Sequence, residues 1–210
     1  MPAVTNREPD LITYRYTPDE PRNVHGEWTT GGDDGRIQVA DAGRSDSDVK
    51  HEFVAKYIEQ AQRGAKELKV PVENILGLSA IESQWGNGRI AKKGNNYFSL
   101  HAPAAFQIGT FPALDDETVL LPIFPSYAAS MKSFFACCGH LIRRVQDPIE
   151  FAKKLQDAGK YGIDHKRVRD PITHRMKSID TPKPNFVHET ATTIRLLRPY
   201  IDDELKICRR

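Results

Sequence analysis

Glu82 is the residue whose surroundings in this sequence best suit acid chemistry. It lies in the segment SAIESQWG (79–86), and a helix there would place Leu78, Ser79 and Trp85 on its face, at offsets of three or four residues. An apolar and aromatic flank penalises the ionised carboxylate and raises its pKa. A general acid needs this property, because it must still hold its proton near neutral pH. Helix geometry alone is equally consistent with Glu82 as an ordinary solvent-exposed glutamate in the last turn of an amphipathic helix.

Two consecutive helices would position this glutamate. The first is predicted from residue 49, and its apolar stripe consists of Phe53, Val54, Tyr57, Ile58, Ala61, Ala65 and Leu68. Val70-Pro71 interrupts the pattern. The second helix carries Ile75, Leu78, Ile81 and Trp85 at spacings of three, three and four. Gly86 is expected to end it, and a turn rich in Gly and Asn follows over residues 86–101.

A small β-hairpin is predicted after this turn. Two strand-like runs, 106–111 and 119–124, are joined by the acidic segment Asp115-Asp116-Glu117. Prolines in and beside these runs indicate that the strands are short or lie at an edge. The hairpin would therefore bring a group of carboxylates to the domain that holds Glu82.

The rest of the chain is predicted to be helical. Ser126 can cap the N-terminus of one helix. Asp147-Pro148 is typical of the start of another helix, with Asp147 as the cap and Pro148 in the first turn. Asn185 would open a last helix. The sum is an α+β fold, a mostly helical domain with a small β-hairpin lobe.

Four blocks of sequence carry a family resemblance. They are AIESQWG (80–86), GNNYFSLH (94–101), FPSYAAS (124–130) and GKYGID (159–164). In this order they resemble the signature of glycoside hydrolase family 73, the endo-β-N-acetylglucosaminidases, over roughly residues 50 to 165. The resemblance implies a lysozyme-like fold. It also implies hydrolysis of the β-1,4 bond between GlcNAc and MurNAc in bacterial peptidoglycan.

Carried over to this chain, the resemblance implies that Glu82 is the general acid. The residues it implies for substrate binding are Trp85, Asn96, Tyr97, Phe98, Tyr127 and Tyr161. For the second carboxylate we select Glu117, with Asp115 and Asp116 as alternatives. If none of the three serves, the acetamido group of the substrate would act as nucleophile. We expect no metal and no cofactor.

Two other functions remain open from the sequence. A muramidase or lytic transglycosylase would share the fold and cut the other glycosidic bond. A non-catalytic phage virion or wall-binding protein is the second alternative, since the segment PRNVHGEWTTGG (21–32) resembles phage structural proteins. Phage or prophage endolysin, secreted effector and virion-associated lysin are equally compatible settings.

Composition limits the setting further. Of 210 residues 39% are apolar, and the net charge of +2 gives no argument for nucleic acid. Residues 1–48 are rich in polar residues and glycine and are predicted to be a flexible arm before a domain spanning 49–210. We expect a monomer that does not insert into membranes. It would be made in the cytoplasm without a signal peptide and would act in the periplasm or cell wall after release or delivery.

Three cysteines are too few for a disulfide framework. Cys137 and Cys138 are adjacent, with His140 nearby and Cys208 far along the chain. The adjacent pair lacks the two-residue gap of a zinc knuckle and lies in an apolar helical pattern. We therefore expect buried, inert thiols, with at least one of the pair facing the core, and no zinc site.

Overall fold

The computed structural model describes residues 45–114, 117–169 and 176–207. These residues form seven helices and four strands: α1 Asp46–Leu68, α2 Val72–Glu82, α3 Arg89–Gly94, β1 Gly109–Pro112, β2 Leu120–Ile123, α4 Tyr127–Ile142, α5 Pro148–Asp157, β3 Ile163–Arg169, β4 Met176–Pro182, α6 Phe186–Leu196 and α7 Arg198–Ile207. The predicted α+β, mostly helical class is confirmed. The predicted arm, residues 1–48, lies outside the described residues except for its last four.

A capping box explains why α1 begins at Asp46, three residues before the predicted start. The Ser45 hydroxyl accepts a hydrogen bond from the Asp48 N–H at 3.2 Å. In return, the Asp48 carboxylate accepts one from the Ser45 N–H at 2.9 Å. All seven residues of the predicted apolar stripe are buried, as expected.

The central helix of the domain is α2. Every residue from Asn74 to Ala80 is buried, and the helix packs against both α1 and α6. Gly77 permits the approach of α6, because a Cβ at this position would lie 2.4 Å from Cγ1 of Ile194. The predicted end at Gly86 is wrong, since α2 ends at Glu82.

The predicted first hairpin is confirmed, with shorter strands. β1 and β2 pair antiparallel, with Gly109 opposite Ile123 and Thr110 opposite Pro122. Pro122 is tolerated because this sheet has two strands, so each has an open edge. A small apolar cluster of Phe111, Ala113 and Leu121 lies under the hairpin, separate from the main core.

Both helix starts predicted in the middle of the chain are also confirmed. The Ser126 hydroxyl accepts a hydrogen bond from the Ala129 N–H and caps α4. The Asp147 carboxylate accepts from the N–H groups of Ile149 and Glu150 and caps α5. The side chains that follow these caps contribute to the main core.

Three features differ from the sequence prediction. The turn predicted over 86–101 contains α3, which is held against the hairpin by an Arg89 hydrogen bond to the Pro112 carbonyl at 3.3 Å. A second antiparallel hairpin, β3–β4, pairs Ile163 with Pro182. Its strands have no clear alternation of apolar and polar residues. The last helix is divided into α6 and α7, with Pro199 in the first turn of α7, a position that proline tolerates.

The main core unites side chains from α1, α2, α4, α5, α6 and α7. Cys138 belongs to this core with 1% exposure, which confirms that one of the adjacent thiols faces inward. Cys208 lies outside the described residues. In the part of the chain that the structure describes, no helix is long and apolar enough to cross a membrane.

Two glycines with the same backbone conformation allow a test of the packing between α5 and α6. Gly162 (φ +62°) lies so close to Phe186 that a Cβ would be 2.2 Å from its Cγ, whereas Gly159 (φ +66°) has no neighbouring atom within 4 Å of such a Cβ. Alanine is strained at both positions by about 1–2 kcal/mol. We expect Gly162→Ala to lower the free energy of unfolding by a further 1–3 kcal/mol or so, because it also overpacks the core. Urea denaturation of both variants measures the difference, and equal losses would contradict this packing.

Candidate active site

Glu82 is the last residue of α2 and is buried. Its side chain is 4% exposed, and both carboxyl oxygens are inaccessible to solvent. The preceding two turns of the helix are apolar apart from Ser79. Burial of a carboxyl group in such surroundings favours its neutral, protonated form, which is the form that a general acid requires.

A helix that ends inside the domain must find partners for its last carbonyl groups. The turn after Glu82 supplies most of them. The Ser83 N–H donates to the Ser79 carbonyl at 3.0 Å, the Trp85 N–H to that of Ala80 at 2.8 Å, and the Gln84 N–H to that of Ile81 at 3.3 Å. The carbonyl of Glu82 itself accepts from the Ser99 hydroxyl at 2.9 Å.

This turn has an uncommon backbone conformation. Gln84, Trp85 and Gly86 all have positive φ angles, of 51°, 57° and 77°. The left-handed conformation is unfavourable for the first two, and such strain concentrates at functional sites. It directs Trp85 towards α1, where the ring meets Phe53 edge to face at 5.8 Å and Lys50 lies above it at 5.6 Å.

The segment from Asn95 to Leu100 is the second wall of the site. The Asn96 side chain donates to the Leu100 carbonyl at 2.7 Å and accepts from the Leu100 N–H at 2.9 Å. The Tyr97 N–H donates to the Ser130 hydroxyl of α4 at 3.1 Å. The segment is therefore locked both internally and to the helix behind it, and this fixes Ser99 against the end of α2.

Three tyrosines from different elements form a cluster beside this segment. The rings of Tyr57 and Tyr127 stack at 4.4 Å, and Tyr97 meets both at about 5 Å. The hydroxyls of Tyr57 and Tyr97 share a hydrogen bond of 2.5 Å, and that of Tyr127 bonds to Ser79 at 3.1 Å. Burial raises the pKa of Tyr97 and of Tyr127 well above the ordinary range, so both stay neutral at physiological pH.

A cavity of about 380 Å³ opens between α1 and the segment 85–97. Its walls combine four aromatic rings with lysine, asparagine and glutamate side chains: Val49, Glu52, Phe53, Lys56, Tyr57, Trp85, Gly86, Asn87, Ala91, Lys92, Asn95 and Tyr97. Aromatic faces suit the C–H faces of pyranose rings, and amide and hydroxyl groups can bond their polar substituents. Glu82 does not line this cavity and lies three residues before Trp85 in the chain.

The structure separates the predicted substrate-binding residues into two groups. Trp85 and Tyr97 line the cavity, as a contact with substrate requires. Asn96 and Phe98 have no exposed surface, and Tyr127 and Tyr161 are at most 3% exposed. These four side chains are buried inside the domain, and their role in substrate binding stays a prediction.

Tyr161 shows how one of these buried side chains supports the site. Its hydroxyl donates to the Phe98 carbonyl at 2.8 Å, and the Phe98 ring stacks on Phe134 at 4.7 Å. Asn96 and Tyr161 thus hold the backbone that carries Ser99. The sequence pattern identified these residues but could not reveal that their polar atoms face the backbone.

The predicted second carboxylate, Glu117, is exposed in the turn of the first hairpin. Its alternatives, Asp115 and Asp116, lie outside the described residues. The structure brings together Glu82, Ser99 and the tyrosine cluster, while Glu117 lies at the tip of the hairpin lobe. Among residues 45–114, 117–169 and 176–207, no three His, Cys, Asp or Glu side chains are placed to hold a metal ion.

Tyr57 and Ser99 have no role in the site predicted from the sequence. Tyr57 falls on the apolar stripe of α1, where a tyrosine and a phenylalanine give the same pattern. Ser99 is part of the block 94–101, but its spacing from Glu82 does not reveal a contact across 17 residues. Only the fold brings Ser99 and Glu82 together.

Known proteins share sequence and fold with this chain. A family model named Glucosaminidase, described as mannosyl-glycoprotein endo-beta-N-acetylglucosaminidase, matches residues 58–191. The match includes all four blocks and extends beyond them into α6. Among curated protein sequences no significant match is found.

Solved structures give two informative similarities. One is a chain of a type VI secretion system effector–immunity complex from Pseudomonas protegens, which is 35% identical with a TM-score of 0.59, over 73% of this chain and 94% of that chain. The other is a peptidoglycan hydrolase from Sphingomonas sp. A1, which is 20% identical with a TM-score of 0.56. This match covers 73% of this chain and 94% of that chain. At this lower identity, the second similarity concerns the fold.

Adjacent asparagines allow a test of the supporting role of Asn96. Asn96→Ala leaves the buried N–H and carbonyl of Leu100 without their partners, so we expect a loss of roughly 2–4 kcal/mol in the free energy of unfolding. Asn95→Ala removes one part-buried bond to the Phe124 carbonyl and places alanine at a φ of 48°, so it should lose about 1–2 kcal/mol. Thermal and urea denaturation measure both, and a larger loss for Asn95→Ala would refute the assignment.

Proposed function

Because the chain belongs to the glucosaminidase family of glycoside hydrolases, we propose that it cleaves the β-1,4 bond between GlcNAc and MurNAc in bacterial peptidoglycan, with Glu82 as general acid. The observation that carries the proposal is the burial of Glu82 at the end of α2 inside the matched residues. The similar hydrolase from Sphingomonas acts on peptidoglycan by its description, which supports the choice of substrate.

In the proposed reaction Glu82 gives its proton to the glycosidic oxygen as the bond to the sugar breaks. Proton transfer needs the carboxyl within about 2.6–3.2 Å of that oxygen. Both carboxyl oxygens are buried in this structure, so a bound glycan must displace part of their cover. The positive-φ turn at 84–86 and the segment 96–100 flank the acid and are the elements that such binding would reach.

The other half of the reaction requires a nucleophile or a base. Glu117 could activate a water molecule or stabilise the developing charge if the hairpin lobe closes over the glycan. Its exposed position at the hairpin turn equally suits a route in which the acetamido group of the substrate attacks the anomeric carbon. Asp115 and Asp116 remain alternatives on the same turn.

Family membership favours this reaction over the alternatives. A muramidase or transglycosylase would act on the other glycosidic bond, and the matched family is defined by action on N-acetylglucosamine linkages. A non-catalytic wall-binding protein would have no need of a buried glutamate at a strained turn.

We further propose that the protein reaches the periplasm or wall by delivery and works there as a monomer on glycan strands, without nucleic acid or membrane insertion. The 35% identity to a chain of a type VI secretion system complex supports a secreted effector. That support is stronger than any given for a phage endolysin or virion-associated lysin.

Product analysis tests the cleaved bond. Purified peptidoglycan is digested with the protein, and the new reducing ends are identified by mass spectrometry. We expect reducing GlcNAc. Reducing MurNAc or its anhydro form would assign the chain to the other bond, and no release of fragments would reject the proposed function.

Replacement of the acid tests the mechanism. Glu82→Gln keeps size and shape but removes the transferable proton, so we expect wall hydrolysis to fall by about 10²–10⁴-fold or more with the fold retained. Glu59→Gln makes the same change at an exposed site on α1 and should leave the rate unchanged. Near wild-type activity in a folded Glu82→Gln protein would refute the assignment.

The role of the hairpin carboxylate is tested separately. Glu117→Gln should lower the rate about tenfold if the acetamido route operates, since the carboxylate then gives only electrostatic help. It should approach the loss seen in Glu82→Gln if Glu117 activates water. Rates of fragment release at several substrate concentrations distinguish the two routes.

A further inference from the structure

We propose that Cys137 is a thiol-exchange site, at which small disulfides react and a bulky adduct stops hydrolysis. The effect on hydrolysis rests on the proposed function, whereas the chemistry at the sulfur does not. The site is formed by a pair of adjacent thiols in α4 and by a small cavity beside them.

The two thiols differ in exposure and are in contact. Cys138 is 1% exposed, and Cys137 is partly exposed. The Cys138 S–H donates to the Cys137 sulfur at 3.1 Å. A donor aimed at a sulfur stabilises its thiolate, which is the form that reacts with disulfides.

The charges around Cys137 also favour its thiolate form. The hydrogen bond from Cys138, aided by the positive charge of Lys160, lowers the pKa of Cys137 below its ordinary value in spite of its partial burial. The same contact and deep burial raise the pKa of Cys138. The prediction of inert thiols thus fits Cys138, while Cys137 has the exposure and the partner of a reactive cysteine.

The reaction is a thiol–disulfide exchange. The Cys137 thiolate attacks one sulfur of oxidised glutathione, a protein–glutathione disulfide forms, and the second glutathione leaves as a thiolate. The disulfide reagent is the oxidant, and the sulfur of Cys137 is oxidised.

The exchange should stop at this mixed disulfide. A ring between Cys137 and Cys138 would join residues whose Cα atoms are about 3.8 Å apart, which is below the usual range of roughly 4.4–6.8 Å for disulfides. Both residues lie inside α4, which is capped by Ser126 and packed on the main core. Closing the ring would require local unwinding of this helix.

The small cavity links the thiol to the candidate active site. Cys137 lines a space of about 80 Å³ together with Leu100, His101, Ala104, Ala105, Ser133 and Ala136. This volume accepts a methyl-sized group but not a tripeptide. A glutathione adduct that enters this space would displace the segment 100–105, and that segment begins at Leu100, the residue that Asn96 anchors.

The test uses the full-length protein and begins with reactivity. Oxidised glutathione is added at pH values from 5.5 to about 9, and intact-mass spectrometry with peptide mapping follows the adduct. We expect the fast phase to place one glutathione per chain, on Cys137. At neutral pH the reaction should be roughly five- to tenfold faster than in Cys138→Ala, where the thiolate loses its donor.

Control variants separate this site from the other thiols. Cys208→Ser should react like the wild type, and Cys137→Ser should lose the fast phase. If Cys137→Ser does not fold by circular dichroism, Cys137→Ala replaces it. Fast modification in a folded variant without Cys137, or a stable product that has lost two hydrogens and carries no glutathione, would overturn the proposal.

Adduct size tests the link to catalysis. Methyl methanethiosulfonate places a methylthio group on the same sulfur, and we expect the modified protein to keep most of its wall hydrolysis. The glutathione adduct should lose at least about tenfold, with recovery on reduction by dithiothreitol. Equal activity of the two adducts would overturn the proposed link. If the reduced protein itself does not hydrolyse peptidoglycan, the proposed function fails, and the mapped adduct still decides the thiol site.

Discussion

The constraint on which the site depends is the termination of α2 inside the domain. A helix end in the protein interior leaves carbonyl groups that water cannot reach, and each requires another donor. The tight turn after Glu82 supplies backbone donors for three of them, and the Ser99 hydroxyl supplies one for Glu82 itself. Because these donors come from two different segments, the helix end, the turn and the segment 96–100 can only form together.

The carboxyl group gains its chemical character from the same constraint. The apolar length of α2 requires burial between α1 and α6, and that burial carries Glu82 with it. The strained residues Gln84 and Trp85 are tolerated because their N–H groups satisfy the helix end. The carboxyl group is thereby buried, and it lies three residues before Trp85, which lines the cavity.

Hydrogen bonds inside the protein hold the block 94–101, which contains a buried asparagine and a buried phenylalanine. Asn96 binds the backbone of Leu100 in both directions, and Tyr161 holds the Phe98 carbonyl from across the domain. These polar groups fix the geometry of the segment, while Trp85 and Tyr97 line the cavity. Cys137, behind the same segment, is placed where an adduct would act on it.

The sequence by itself determined the features that depend on local pattern and local chemistry. The stripe of α1, the caps at Ser126 and Asp147, the first hairpin and the selection of Glu82 follow from periodicity, capping residues and short blocks. Only the tertiary structure decided where α2 ends, because donors from a distant segment complete that end. It also decided that α3 is held against the hairpin, since Arg89 binds the distant Pro112 carbonyl, and that the Asn96 side chain bonds to the backbone of Leu100. Each of these outcomes depends on contacts between residues far apart in the chain, which a pattern of neighbours does not contain.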